Sequence, residues 1–231
     1  MEKLNKLIHL ILDKIKFLII SFLSREEKFR FIYKNQYWKN RKGGSLSGAG
    51  SNLSSTATLI SELNRFLETK NIKSLVDIPC GDWHWMSKVN LKTINYIGCD
   101  AIDEIIQENQ KKHQTKNINF KKANIISDIL PSADFIFIRD LFVHFKDSEI
   151  LMSLENIKRY NFKYIGITNY PTTNLNKEKN LGDRWRPINL TINPFNLPNP
   201  DFLLSDTNND NPMDKEKTLA IWGRESLLKI N

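Results

Sequence analysis

Between residues 74 and 168, short apolar runs alternate with stretches of helical periodicity. This alternation restricts the fold more than any other feature of the chain. The runs cover 74–78, 96–99, 118–121, 135–138 and 164–168, and helical patterns fall near 83–88, 101–113, 141–145 and 148–160. Strands separated by helical patterns imply βαβ units, right-handed crossovers and a mostly parallel sheet with helices on its faces. A helix over 56–69 should precede them, capped by Ser54 or Ser55, with Leu59, Ile60, Leu63, Phe66 and Leu67 facing inward. After residue 181 prolines become frequent, and strand-like pieces at 202–204 and 219–222 would add an antiparallel edge. The expected class is α/β.

The 231 residues suffice for one large domain with an appendage. Charge marks the division. Residues 1–42 hold eleven lysines and arginines against four acids, so they carry +7 of the net +8. We therefore divide the chain into a basic amphipathic arm, 1–42, and a nearly neutral domain, 43–231. In the arm, Leu4, Leu7, Ile8, Ile11, Ile15, Leu18, Ile19 and Phe22 form the apolar stripe of an amphipathic helix. Spanning a membrane would bury Asp13, Lys14 and Lys16 at about +2.5 to +3.5 kcal/mol each, which cancels the gain from the apolar residues. The uninterrupted apolar run is also too short for a signal peptide. Two readings remain: a helix in the interface of an anionic membrane, or one packed on the domain or a partner. Residues 25–42 interleave Phe29, Phe31, Tyr33, Tyr37 and Trp38 with basic residues, a pattern that suits lipid head groups, glycan phosphates or RNA. The domain's own charge of +1 argues against nucleic acid.

Cys80 and Cys99 build no disulfide framework, so a reducing, cytoplasmic compartment is expected, peripheral on the inner membrane face if the arm binds lipid. The four histidines are scattered and no cluster has metal-ligand spacing, so no metal is expected. Residues 43–56, rich in Gly, Ser and Thr, are a linker or a ligand-wrapping loop.

The polar residues that carry chemistry fall at the expected carboxyl ends of consecutive strands, where open α/β sheets bind ligands. The first run ends in Asp77-Ile78-Pro79-Cys80-Gly81-Asp82-Trp83. No GxGxxG is present, and Asp77 and Asp82 favour a ligand with positive charge or donor groups over a pyrophosphate. The second run ends at Asp100, placed to accept both hydroxyls of a ribose. The third leads to Asn124, whose amide suits an adenine edge. The fourth leads to Arg139, Asp140 and His144.

This order resembles class I S-adenosylmethionine-dependent methyltransferases. It is most similar to a bacterial branch with a D-[IV]-P-C-G-D-[FW]-x-W-M turn (Asp77 to Met86). That branch also has S-G-x-G-S (Ser47 to Ser51), R-D-x-x-x-H (Arg139 to His144) and W-R-P-[IL]-N-L (Trp185 to Leu190). The resemblance covers about 36–223. It implies S-adenosylmethionine as cofactor and a seven-stranded Rossmann-like sheet of order 3-2-1-4-5-7-6. It also implies Gly81 at the methionyl part, Asp100 at the ribose and Asn124 near adenine. Asp77, Pro79, Cys80, Asp82, Ala101 and Arg139 complete the expected cofactor site. Pro79 and Trp83 stand where the usual DxGxGxG has glycines.

Methyl transfer to a hydroxyl needs a base for the proton. His144 is the first candidate, since imidazole titrates near neutral pH, though it could equally cap or pack the following helix. Asp140 could orient His144, be the base itself, or pair with Arg139. Asn169, Tyr170, Trp185, Arg186 and Asn189 are candidate acceptor contacts, an arginine beside tryptophan suiting a sugar face or a phosphate. The acceptor expected from the arm and this loop is a hydroxyl of a surface glycan or lipid-linked sugar. The alternative is a non-catalytic protein that keeps the fold for binding or scaffolding, suggested by the altered first turn.

Overall fold

A computed structural model of the chain describes residues 23–38, 44–177, 185–207 and 214–228. Seven strands form where the apolar runs lie: β1 Ser74–Asp77, β2 Asn95–Asp100, β3 Ile118–Lys122, β4 Phe135–Ile138, β5 Tyr164–Asn169, β6 Phe202–Ser205 and β7 Thr218–Gly223. Each lies within one residue of its expected limits. The sheet order is β3-β2-β1-β4-β5-β7-β6. β1 to β5 pair in parallel, and β7 runs antiparallel between β5 and β6.

Residue parity along the strands sorts the core into two halves. Val76, Ile136, Ile138, Ile165, Ile167, Ala220 and Trp222 face one side, and Leu75, Phe135, Phe137, Leu219 and Ile221 the other. Both sides are covered, which is why the strands read as continuous apolar runs. Besides α1 (Arg25–Lys34), the helices are α2 (Leu53–Thr69), α3 (Asp103–His113), α4 (Asp147–Lys158) and α5 (Arg224–Leu228). α4 covers the first side through Ile150, Leu154 and Ile157, helped by Ile188, Leu190, Phe195 and Leu197. α2 covers the second through Leu59, Leu63, Phe66 and Leu67.

Local departures from the expected elements have physical causes. α2 starts earlier, after Asn52. The Ser55 hydroxyl donates back to Ala49 O and Thr56 to Asn52 O; Ser54 and Ser55 lie inside the first turn and neither caps it. The patterns near 83–88 and 141–145 produce only short 3-10 turns, Met86–Lys88 and Phe142–His144. Trp83 (φ 56°) and Asp140 (φ 54°) turn the chain just before each one, which stops a helix from running back into the strand. Inside the expected arm, Ser24 and Glu27 cap each other's backbone and start α1. The expected amphipathic helix before it lies outside the described residues, apart from position 23. Among the described residues no helix is long and apolar enough to cross a membrane.

Candidate functional site

The carboxyl ends of β1 to β4 open into a cleft of about 1030 Å³, counting its mouth. Its floor is the turn after β1. Gly81 adopts φ +52°, and a Cβ there would lie 2.3 Å from Ser47 Oγ, so only glycine fits. Asp100, at the end of β2, accepts from Gly81 N at 3.2 Å through one oxygen and from Ile102 N at 3.0 Å through the other. Burial raises its carboxyl to about 6, against the pull of these backbone donors. Asp77 is also buried and accepts from the Tyr96 hydroxyl at 2.6 Å; burial raises it to about 8. Pro79, Cys80, Ala101 and Asn124 line the same cleft. Asn124 spends its side-chain oxygen on Ile126 N. Burial lifts both thiols, Cys99 to about 12, so neither is a nucleophile at neutral pH.

Two of the expected cofactor contacts are committed to protein partners. Asp82 lines the cleft, yet its carboxylate accepts from the Ser45 and Ser47 hydroxyls and from Leu46 N. It ties the 45–51 segment to the first turn. Arg139 is buried and grips Asp206 with two 2.9 Å bonds, reaching Gly50 O with the same Nη2.

Arg139 belongs to a chain of buried charges that sequence reasoning missed. Lys217 Nζ lies 2.7 Å from Asp140 and 3.0 Å from Asp206. The pairing of Ser205 with Thr218 at the β6–β7 end sets Asp206 opposite Lys217. No local pattern marks either residue, because the pair exists only through that register. Asp140 is the one member with appreciable exposure, 27% of its side chain. Burial opposes its ionisation, but the Lys217 ammonium and the Arg139 guanidinium outweigh this and hold it at about 2. Of the three roles open to Asp140, a proton-accepting base at neutral pH is the one this environment opposes.

His144 lies in the 3-10 turn and lines the cleft beside Asp140. Trp38 stacks on its ring at 5.5 Å, and Phe29 meets it edge-on at 5.9 Å. A second, outer cavity shares Trp38, Asp140 and His144 with the cleft and adds Trp185, Asp214 and Lys217. Of the five candidate acceptor contacts, only Trp185 reaches it. The others are bound elsewhere. Asn169 accepts from Leu190 N, and Tyr170 donates to Asp214. Arg186 holds Phe145 O and Asp147, and Asn189 donates to Pro171 O and Thr173 O. These four are buried fasteners of the loop, as expected where backbone carbonyls need donors. Among the described residues no group of three metal-ligating side chains comes together.

Two outcomes follow. Asp206→Ala leaves the buried Arg139 and Lys217 with only the part-exposed Asp140 as a carboxylate partner and should cost about 3–5 kcal/mol in urea unfolding; a loss below about 1 kcal/mol would contradict the role given to this cluster. Asp77 and Asp100 hold protons in the folded chain at pH values where the unfolded chain has lost them. Their contribution to stability is therefore full below about pH 4 and is lost as pH rises through about 6 and about 8. The thermal midpoint of the ligand-free protein should fall across that window, and Asp77→Asn should flatten its upper part. A slope unchanged in that variant refutes the assignment.

No protein-family model matches the chain, and no curated protein matches it in sequence. Solved structures do match. "PigF with SAH" superposes with a TM-score of 0.58 at 13% identity, over 84% of this chain and 61% of that one. The N-methyltransferase NodS from Bradyrhizobium japonicum WM9 gives 0.55 at 12% identity, over 73% of this chain and 96% of that one. The methyltransferase domain of a bacterial CtHen1 gives 0.53 at 9% identity, over 73% and 98%. The chain spans only 34–61% of the length of several other matches and of PigF. With its sheet order, these likenesses establish that the chain has the Rossmann-like methyltransferase fold.

Proposed function

We propose that this protein binds S-adenosylmethionine and transfers its methyl group to a hydroxyl of a sugar acceptor. The observation that carries the reading is Asp100, a buried carboxylate at the end of β2 in a cleft of the methyltransferase fold. Its oxygens accept from Gly81 N and Ile102 N, and a carboxylate has about four acceptor sites, so it keeps capacity for ribose hydroxyls. Ala101, Ile102 and Ile125 offer an apolar slot beside Asn124 for an adenine ring. The altered first turn does not block this fit. Trp83 carries its ring onto Tyr96, His113 and Phe120, away from the cleft.

When bound, the cofactor supplies an electrophilic methyl on sulfur and leaves as a neutral thioether. The chain's part is positioning, which can supply most of the acceleration of an in-line transfer. His144 takes the acceptor's hydroxyl proton as the new O–C bond forms. Asp140, fixed as an anion, stabilises the imidazolium that results. Trp38 and Trp185 wall the outer cavity and suit the apolar face of a sugar ring.

Titration calorimetry with S-adenosylmethionine tests the cofactor. Wild type should bind, Asp100→Ala should lose at least tenfold in affinity, and His144→Ala should bind like wild type. The ionised Asp100 carboxylate is the stronger acceptor and the neutral acid keeps less acceptor capacity, so affinity should fall as pH drops below about 6. A well-folded wild type that fails to bind refutes the reading. For the acceptor, methyl-labelled cofactor is incubated with glycan, lipid, protein and RNA fractions. Label should enter glycan and depend on His144; label confined to protein or RNA refutes the sugar acceptor.

A further inference from the structure

The aromatic and basic stretch 25–38 lies along the open side of the cleft. Near the start of α1, Arg25 sits 4.4 Å over the Phe145 ring and pairs with Glu149, and Glu26 lies 3.5 Å from Lys122 at the end of β3. Beyond its far end Trp38 reaches His144. Between them the Tyr33 hydroxyl lies 2.7 Å from Ser47 Oγ. Ser47 in turn donates to the Asp82 carboxylate and accepts from Asp82 N, which binds this contact to the first turn. The approach is close: a Cβ on Gly81 would lie 3.2 Å from the Tyr33 hydroxyl. Tyr33, Gly81 and Asp100 line one cleft, so a molecule reaching from Asp100 to the Gly81 turn passes Tyr33.

We propose that α1 is the closing wall of the cofactor site and that Tyr33 is a cofactor-binding residue. A phenol both donates and accepts, so a hydroxyl engaged with Ser47 keeps a second hydrogen-bonding capacity for the methionyl end. The rest of the helix supplies cover. Phe29 packs against the core, and Trp38 shields the side where methyl transfer would occur. α1 has one buried residue, Ile32; beyond the part-buried contacts of Phe29 and Tyr33 it is fastened by polar pairs to α3, α4 and β3. An element held so lightly opens at low free-energy cost, which gives a large cofactor a way in and lets the bound molecule pin the helix.

This inference rests on the S-adenosylmethionine reading. The test uses the full chain and S-adenosylhomocysteine, the demethylated cofactor. Calorimetry should show Tyr33→Phe weakened about three- to tenfold, the scale of one hydrogen bond, and Tyr33→Ala by more than tenfold. Phe31→Ala, on the outer side where Phe31 stacks on Tyr37, should bind like wild type. Hydrogen exchange on wild type, which needs no variant, should slow at least tenfold in residues 25–34 when S-adenosylhomocysteine saturates the protein. Wild-type affinity in both Tyr33 variants, or exchange in α1 unchanged by ligand, overturns the proposal. Failure of wild type to bind S-adenosylhomocysteine and S-adenosylmethionine falls instead on the proposed function.

Discussion

A sheet covered on both faces can place polar side chains only at its strand ends. Val76 and Leu75 point to opposite sides and both are buried; Ile136 and Phe135 repeat the pattern on β4. Every charged residue that the strands deliver inward is therefore pushed to a carboxyl end, where Asp77, Asp100 and Asp140 meet. The cleft is a consequence of how the core is covered. Burial of these carboxyls then determines their chemistry. Asp77 and Asp100, which have few cationic neighbours, are raised by desolvation, whereas Asp140, beside Lys217 and Arg139, is held low. Three acidic residues on one sheet edge thus differ near neutral pH: Asp77 holds its proton, Asp100 titrates just below neutrality and Asp140 stays anionic.

The buried charge cluster is a weak argument for stability, because desolvation of such groups consumes most of what their attraction returns. Its geometry argues for placement. Arg139 joins Gly50 of the loop before α2 to Asp206 after β6, and Lys217 joins Asp206 to Asp140. Thr168 of β5 accepts from Asp140 N at 2.9 Å. Four other segments, at Gly50, Thr168, Asp206 and Lys217, help fix one carboxylate at the mouth of the outer cavity, in a backbone conformation (φ 54°) that a non-glycine residue seldom adopts. Strain and buried charge at one residue beside an opening belong to a site held in readiness more than to a scaffold.

The strands and the position of Asp100 at the end of β2 were legible because each is encoded locally: a run of β-branched and aromatic residues, then an acidic residue where the run stops. The loop after β5 was misleading for the same local reason. Arg186 and Asn189 look like ligand contacts in a Trp-Arg-Pro-Ile-Asn-Leu string, yet a long segment whose described residues form no helix leaves backbone carbonyls that need donors, and these side chains supply them. Asp206 and Lys217 were invisible because eleven positions separate them and only the β6–β7 register brings them together. Tyr33 was hidden by composition, since its neighbours made the stretch resemble a surface arm. The Ser24–Glu27 capping box was the local sign that a docked helix starts there.

That last case changes what the net charge means. Segment 1–42 carries nearly all of the excess, which on composition alone describes a surface seeking an anionic partner. In α1, however, Arg25 is paired with Glu149, and Arg30 with Glu26 and Glu104, two of these three partners lying in the domain. Exposed pairs of this kind contribute little to stability, but opposite charges at three points along a short helix fix its direction and register over the cleft. The apolar contacts of Phe29, Tyr33 and Trp38 supply the attachment, and the charges supply the orientation. A basic residue counts toward an external partner only when no acid of its own chain faces it, so the charge of α1 is first a property of how the site closes.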